Sequence, residues 1–244
     1  MKRSRKILLY YVAFFAVLLA VFYLIIFKNY DFNASSLAVI NPAVPSFSFT
    51  NQDGKTVTQK QTDDKVYVAA YFFTTCPAIC PKMNANMRRV YDAYKDRKDF
   101  MILSHTCQPE IDSIPLMKIY ERRMINGTLV KGDDGAYAIS KIPSGQDLPN
   151  ANWEFLTGNK DSLYKLARNG YIIDNQKPDS TQNIENQFIH SQFFALVDRY
   201  RRVRGIYDGL KEAEIEKLLG DIKSLLKEKV DHTRFMNGFS STPY

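Results

Sequence analysis

The sequence predicts an α/β fold with a central mixed sheet flanked by helices, preceded by an N-terminal transmembrane helix. Three observations point there. Lys65 to Phe73 (KVYVAAYFF) is a nearly unbroken β-forming apolar run, the signature of a strand buried on both faces. A proline-opened helical pattern follows it within a few residues, and later strands and helices alternate. Ile7 to Phe27 is a 21-residue stretch without a charge, long enough at 1.5 Å per residue to cross a hydrocarbon core of about 30 Å.

The N-terminal segment fixes the expected topology. Lys2, Arg3, Arg5 and Lys6 precede the apolar run and Lys28 closely follows it. The positive-inside rule keeps residues 1–6 in the cytoplasm and sends the rest outward, giving a single-pass protein of the cell inner membrane with an extracytoplasmic C-terminal domain. A cleaved signal peptide has a shorter apolar core ending at a small-x-small site; this core is longer and runs straight into Lys28-Asn29-Tyr30-Asp31, so the anchor is expected to stay.

The same segment explains the net charge of +7. Five of the 33 basic residues lie in residues 1–28, which carry no acid; the 28 left face 26 acidic residues. The body is therefore close to neutral, and nucleic acid is not an expected partner. Arg199-Tyr200-Arg201-Arg202 reads as a solvated turn.

Along the body, residues 28–45 read as a linker punctuated by Pro42 and Pro45, and residues 46–229 as one domain. Phe47 to Phe49 and Thr56 to Thr58 flank Asn51-Gln52-Asp53-Gly54, a hairpin signal. Pro81 opens a helix to about Arg97. Phe100 to Ser104 is the next buried strand, and a helix is expected over Ile114 to Met124. Residues 126–151 form an insert with its own hairpin signal, Thr128 to Val130 and Tyr137 to Ile139 around Gly132-Asp133-Asp134-Gly135. Trp153 to Leu156 is a short strand, and Lys160 to Asn169 a helix stopped by Gly170. Phe193 to Val197 and Val203 to Tyr207 pair as a hairpin. Lys211 to about Lys229 is the last helix, and residues 230–244 are a tail.

The chemistry concentrates at Thr75-Cys76-Pro77-Ala78-Ile79-Cys80-Pro81, a C-x-x-x-C pair between a buried strand and a helix start. A helix N-terminus favours a thiolate and is expected to lower the cysteine pKa from about 8.5 toward neutrality. Two soft thiolates one turn apart chelate a soft metal or close a disulfide, so both chemistries stay open. C-x-x-C is the redox spacing of thioredoxin-like proteins; one more residue widens the bite and favours a two-point chelate. Two thiolates suit Cu(I) or part of a zinc site and call for a third ligand, most commonly imidazole.

The chain has three histidines. His232 falls in the tail. His190 precedes the strand that starts near Phe193, and in a thioredoxin-like arrangement the residue before that strand faces the dithiol loop. His105 closes the strand begun at Phe100. Met83 and Met87, four apart on the helix after Cys80, read as core packing.

Phe73 to Met83 (FTTCPAICPKM) resembles the copper-site loop of the SCO/SenC proteins. Asn152 to Gly158 (NWEFLTG) is similar to their W-x-F-L-T-G segment. Ile189-His190-Ser191 through Asp198, with Val203 to Gly209, is similar to their histidine loop and following hairpin. The resemblance covers roughly residues 45–228. It implies a thioredoxin fold, a membrane anchor, and copper held by Cys76, Cys80 and His190. It also implies a part in assembling the copper A centre of cytochrome c oxidase, by copper delivery to the copper-bearing subunit or by thiol reduction of it. The protein would then be a metallochaperone rather than a turnover enzyme. Asp112, in Pro109-Glu110-Ile111-Asp112, matches an acidic position of the family and is expected behind the ligands rather than among them. The alternative is an extracytoplasmic thiol–disulfide oxidoreductase that uses Cys76 and Cys80 without a copper-transfer role. Cys107 departs from the family pattern. It reads as a partly buried thiol beside the strand-end His105, or else as a third redox partner or alternative copper ligand.

Overall fold

In the computed structural model, residues 2–29, 37–76, 79–133, 135–140, 148–174 and 192–228 are described. His190 and the tail from residue 229 lie outside them. The N-terminal helix α1 (Lys2–Asn29) and the domain from Ser35 to Leu226 are separate compact units. Lys6–Leu24 of α1 is long and apolar enough to cross a membrane, and its side chains are exposed to the surroundings rather than packed inside the protein.

The domain is built on β3 (Val66–Phe72), whose seven residues are all buried. Alternation along a strand sends successive side chains to opposite faces. Val66, Val68, Ala70 and Phe72 enter one core; Tyr67, Ala69 and Tyr71 enter the other. A continuous apolar run is what a strand needs when both faces are covered, at about 2 kcal/mol for each large side chain buried.

Around β3 the sheet assembles in the order β2-β1-β7-β4-β3-β8-β9. β4 (Phe100–Thr106) and β7 (Trp153–Thr157) run parallel to β3 and to each other. The hairpin of β1 (Ser48–Asn51) and β2 (Thr56–Thr58) adds antiparallel to β7, turning at Gly54 with φ 75°. β8 (Phe193–Val197) and β9 (Val203–Asp208) add antiparallel on the other side. One face is covered by α2 (Cys80–Tyr94), α3 (Ile114–Asn126) and α5 (Glu212–Lys227), through residues such as Met87, Met117 and Leu218. The other is covered by α4 (Lys160–Lys165), the turn after it and Phe47. The insert forms its own hairpin, β5 (Leu129–Lys131) with β6 (Tyr137–Ile139), and the Arg89 guanidinium of α2 lies 4.2 Å from the Tyr137 ring.

Three details differ from the sequence expectations. Gly170 does not stop a helix. The chain winds on from α4 as a π turn over Leu166–Tyr171, and the left-handed residue is Ile172, with φ 57°. Gly170 instead marks a close approach, because a Cβ there would meet Leu166 Cδ1 at 2.8 Å and Pro45 Cδ at 3.1 Å. The turn after β8 is not a solvated charge run. Arg199 is buried, bonds Asp99 (2.7 Å) and caps α5 at the Leu225 carbonyl (2.8 Å), while Arg202 and Arg204 share Asp198. Residues 37–44, read as linker, are fastened to the domain: Ile40 N–H donates to the Val203 carbonyl and Val44 N–H to that of Arg201, both at 2.8 Å.

Candidate metal and thiol site

The dithiol loop begins where β3 runs out. After Phe72 the chain turns, with Cys76 N–H donating to the Phe73 carbonyl (3.3 Å), and α2 starts at Cys80 with Met83 N–H donating to the Ile79 carbonyl (3.0 Å). Pro81 occupies the first turn, where a missing N–H costs nothing. Cys76 is half-buried and Cys80 buried; all three cysteines of the chain are thiols, and the Cys76 and Cys80 side chains are in hydrogen-bonding contact. Pro77 and Ala78 between them lie outside the described residues.

Cys80 does not follow the expected acidity. Burial pushes its thiol up to about 12, and the adjoining Cys76 and Asp112 push the same way against a backbone hydrogen bond from Phe73. Desolvation of a thiolate costs more here than one helix terminus returns. Cys80 is therefore a thiol at neutral pH. Iodoacetamide should accordingly modify Cys76 well before Cys80 or Cys107 in the native protein, with all three reacting alike in denaturant. Peptide mass mapping of a time course checks this, and equal native rates at Cys76 and Cys80 would contradict it.

Asp112 is fully buried and ties the loop to the sheet. Its Oδ1 accepts from Thr74 N–H (3.1 Å) and Thr74 Oγ1 (2.5 Å), and its Oδ2 from Thr106 Oγ1 at the end of β4. Thr106 Oγ1 in turn accepts from Gln108 N–H (2.9 Å), and Asp112 N–H donates to the Gln108 carbonyl (2.9 Å). One carboxylate thus joins the loop two residues ahead of Cys76 to the strand beside it. Below the loop the Tyr120 ring stacks on Phe72 at 4.9 Å and its hydroxyl accepts from Asn84. Burial, then Cys80 and Cys76, push that phenol up, which places it against the dithiol.

Cys107 sits just past β4. Its N–H donates to the Phe72 carbonyl (2.8 Å) and its carbonyl accepts from Tyr164 (3.1 Å), so it belongs to the core under α4. Burial holds its thiol well above the usual range, with Cys80, Asp112 and Cys76 adding to the effect. Among the described residues, no three His, Cys, Asp or Glu side chains are arranged to hold a metal.

His105 lies inside β4 rather than at its end. Its ring stacks on Tyr71 (5.1 Å), meets Phe49 edge-on (5.5 Å) and places Nε2 3.2 Å from the Tyr171 hydroxyl. It is a core residue of the second face. Met83 and Met87 are likewise buried among core side chains.

His190 lies outside the described residues, but the strand that follows it does not. Ala195 is level with Ala69, so Phe193, two residues earlier on an antiparallel strand, comes level with Tyr71, one residue short of the end of β3. β8 therefore starts at the sheet end from which the dithiol loop leaves. Gln192 is held there by its amide on Asp208 (2.7 Å) and its carbonyl on Gly209 N–H (2.8 Å).

Sequence reasoning missed Thr74, Thr106, Asn84 and Tyr120. The one signal that could have found the threonines is their placement just after one strand and at the end of the next, where hydroxyls meet loop backbone.

A mixed sheet with a thiol pair between its central strand and the following helix defines a thioredoxin-like thiol protein. Residues 39–133 match the SCO1/SenC family. A SCO1 protein homolog of Bacillus subtilis (strain 168) is 29% identical over 187 residues, covering 76% of this chain and 83% of its own. Among solved structures, BsSco, described as a member of the Sco family of cytochrome c oxidase assembly proteins with a disulfide switch, is 27% identical with a TM-score of 0.57, covering 79% of this chain and 98% of its own. Copper-bound ScoI of Bradyrhizobium japonicum, 20% identical, shares the fold with a TM-score of 0.51 over 75% of this chain and 99% of its own. The chain is similar to the SCO1/SenC proteins in sequence and in fold.

Proposed function

We propose that this protein binds copper through Cys76, Cys80 and His190 and serves in assembling the copper A centre of cytochrome c oxidase, held by α1 in the inner membrane with its domain on the extracytoplasmic side. The observation that carries the reading is the juxtaposition at one sheet end: two thiols in contact after β3, and β8, which follows His190 by three residues, starting beside them. Two soft sulfurs and an imidazole suit Cu(I). The chain's part is to release the thiol protons, Cys80 above all, and to hold the loop through Asp112 while the half-buried Cys76 stays reachable by a client. Copper moves as cargo, by exchange of ligands at that reachable side.

Copper titration of the full chain against a competing chelator tests the assignment. His190→Ala should bind about 100-fold more weakly, or roughly 2.7 kcal/mol, with its circular dichroism unchanged. Cys76→Ser should lose the thiolate-to-Cu(II) absorption band. Wild-type affinity in His190→Ala would remove the histidine from the ligand set.

A thiol–disulfide reading is favoured by one further observation, the unequal exposure of the pair. The Cys76 thiolate would attack a client disulfide to form a mixed disulfide. Cys80 would then displace the client as a dithiol and leave Cys76 and Cys80 joined. Sustained reductase turnover by metal-free protein, unchanged in His190→Ala, would favour this reading over copper transfer.

A further inference from the structure

The segment that enters the domain from the anchor carries an apolar surface with no role at the thiol site. Ala38, Val39, Ile40, Pro42 and Ala43 are exposed, Val39 at 44% and Ile40 at 47%. Asn41 is the one polar side chain among them, and it is turned inward: its amide donates to the carbonyls of Asn169 (2.9 Å) and Gly170 (2.6 Å). The backbone is used inward as well, with Ile40 N–H on the Val203 carbonyl (2.8 Å) and Val203 N–H on the Asn41 carbonyl (3.0 Å). Asn41 brings this segment against the π turn, whose next residue, Ile172, is 43% exposed and held left-handed at φ 57°. A β-branched side chain is rarely found in that conformation. Polar atoms satisfied on the inside and aliphatic side chains gathered on the outside mark a contact surface.

We infer that this patch rests on the lipid surface and orients the domain on the membrane; the inference depends on α1 being a retained anchor. Chain length selects this occupant. Seven residues, 30–36, separate α1 from Leu37, a reach of at most about 28 Å when fully extended. The patch is the first part of the domain the tether reaches, and aliphatic side chains enter the interfacial zone by giving up contact with water. The orientation has a consequence for the thiol site. Val203, to which the patch is bonded, is level with Val197, and Val197 with Tyr67 near the start of β3. The dithiol loop leaves the other end of β3, about 17 Å further along at 3.3 Å per residue. A domain resting on the patch presents Cys76 away from the bilayer, toward a client's extracytoplasmic domain.

The test uses the full chain, one copy per lipid nanodisc, with bromine-labelled acyl chains as the quencher. Trp153 is the only native tryptophan, is 1% exposed and provides a constant background. Ile40→Trp should lose roughly half its added emission to the bromolipid and shift to the blue, the behaviour of an indole in the interfacial zone. Leu116→Trp, at an exposed position on α3, should be unquenched. An unquenched Trp at position 40 in a chain that stays with the disc would overturn the lipid contact. So would a blue shift seen only when two copies share a disc, which would assign the patch to a second copy. A chain that washes out of the disc in carbonate would instead remove the anchor itself.

Discussion

Acidification from pH 7 to pH 3 should strip about 5 kcal/mol of stability from the domain through His105 alone. Burial drives this imidazole down from 6.5 to about 3. A histidine with a depressed folded-state pKa contributes fully above its unfolded value and loses that contribution as pH falls toward the folded one. The window is therefore pH 6.5 down to 3, at roughly 1.4 kcal/mol per unit. The surroundings explain the size. The ring is sealed among Phe47, Phe49, Tyr71 and Tyr171, its Nε2 meets one hydroxyl, and its Nδ1 has no hydrogen-bond partner among the described residues. An imidazolium there would carry a buried N–H with nothing to accept it. Asp99 adds to the same trend at lower pH. Burial raises its carboxyl, but Arg97 and Arg199 outweigh that and hold it below the usual range. Total stability of a domain this size is about 5–15 kcal/mol, so the loss through His105 is about a third of it or more. Urea denaturation at a series of pH values measures the slope. His105→Phe, which keeps an aromatic ring in the box, should flatten it between pH 6.5 and 4.5, where few carboxylates titrate. An unchanged slope in that variant would show that the titration lies elsewhere.

The same residue shows what a sequence conveys and what it withholds. The run from Val66 to Phe72 announced a doubly covered strand because every position is apolar, whichever face it takes. The loop and helix after it were equally legible, since Pro81 and the apolar spacing of α2 are local signals. Whether His105 points at the thiols or away from them depends on where β4 ends. That strand runs two residues past Ser104, through His105 to Thr106, held by the parallel pairing of Tyr71 with His105 and Phe72 with Thr106. Alternation then commits His105 and Cys107 to the second core and Thr106 to the loop side. Register is a property of two segments about 30 residues apart, and neither segment alone contains it.

The acidity of Cys80 departs from the sequence expectation for a related reason. A cysteine at a helix start favours a low pKa when its sulfur meets solvent, but Cys80 is buried, with Cys76 and Tyr120 beside it. Desolvation belongs to the assembled structure. The basic turn after β8 departs from expectation in the same way, because Asp198, Asp99 and the end of α5 reach Arg199, Arg202 and Arg204 only once the sheet has formed. The cysteine pair itself was visible because its chemistry sits in five consecutive residues.

Asp112→Ala should cost about 3 kcal/mol and release the dithiol loop, whereas Asp112→Asn should cost about 1 kcal/mol and leave the loop in place. The alanine variant orphans three donors: the Thr74 N–H, the Thr74 hydroxyl and the Thr106 hydroxyl, in a site with no exposure at Asp112. Unsatisfied buried polar groups cost about 1–3 kcal/mol each, reduced here because Thr74 is half-buried and can turn toward water. Asparagine keeps an oxygen for both Thr74 donors. Its amide nitrogen faces Thr106, whose hydroxyl can reverse and accept, since the Gln108 N–H occupies only one of its lone pairs. The two variants separate holding from charge. Both remove a negative group that helps to raise Cys80 and Cys107, so both thiols should become more acidic; only alanine frees the loop. Thermal melts should fall by roughly 10 °C for alanine and by a few degrees for asparagine. Amide exchange at Thr74 and Cys76 should quicken in alanine alone, and alkylation of Cys80 in both. Equal exchange rates in the two variants would mean that Asp112 acts on the thiols through its charge and that the loop is held by other contacts.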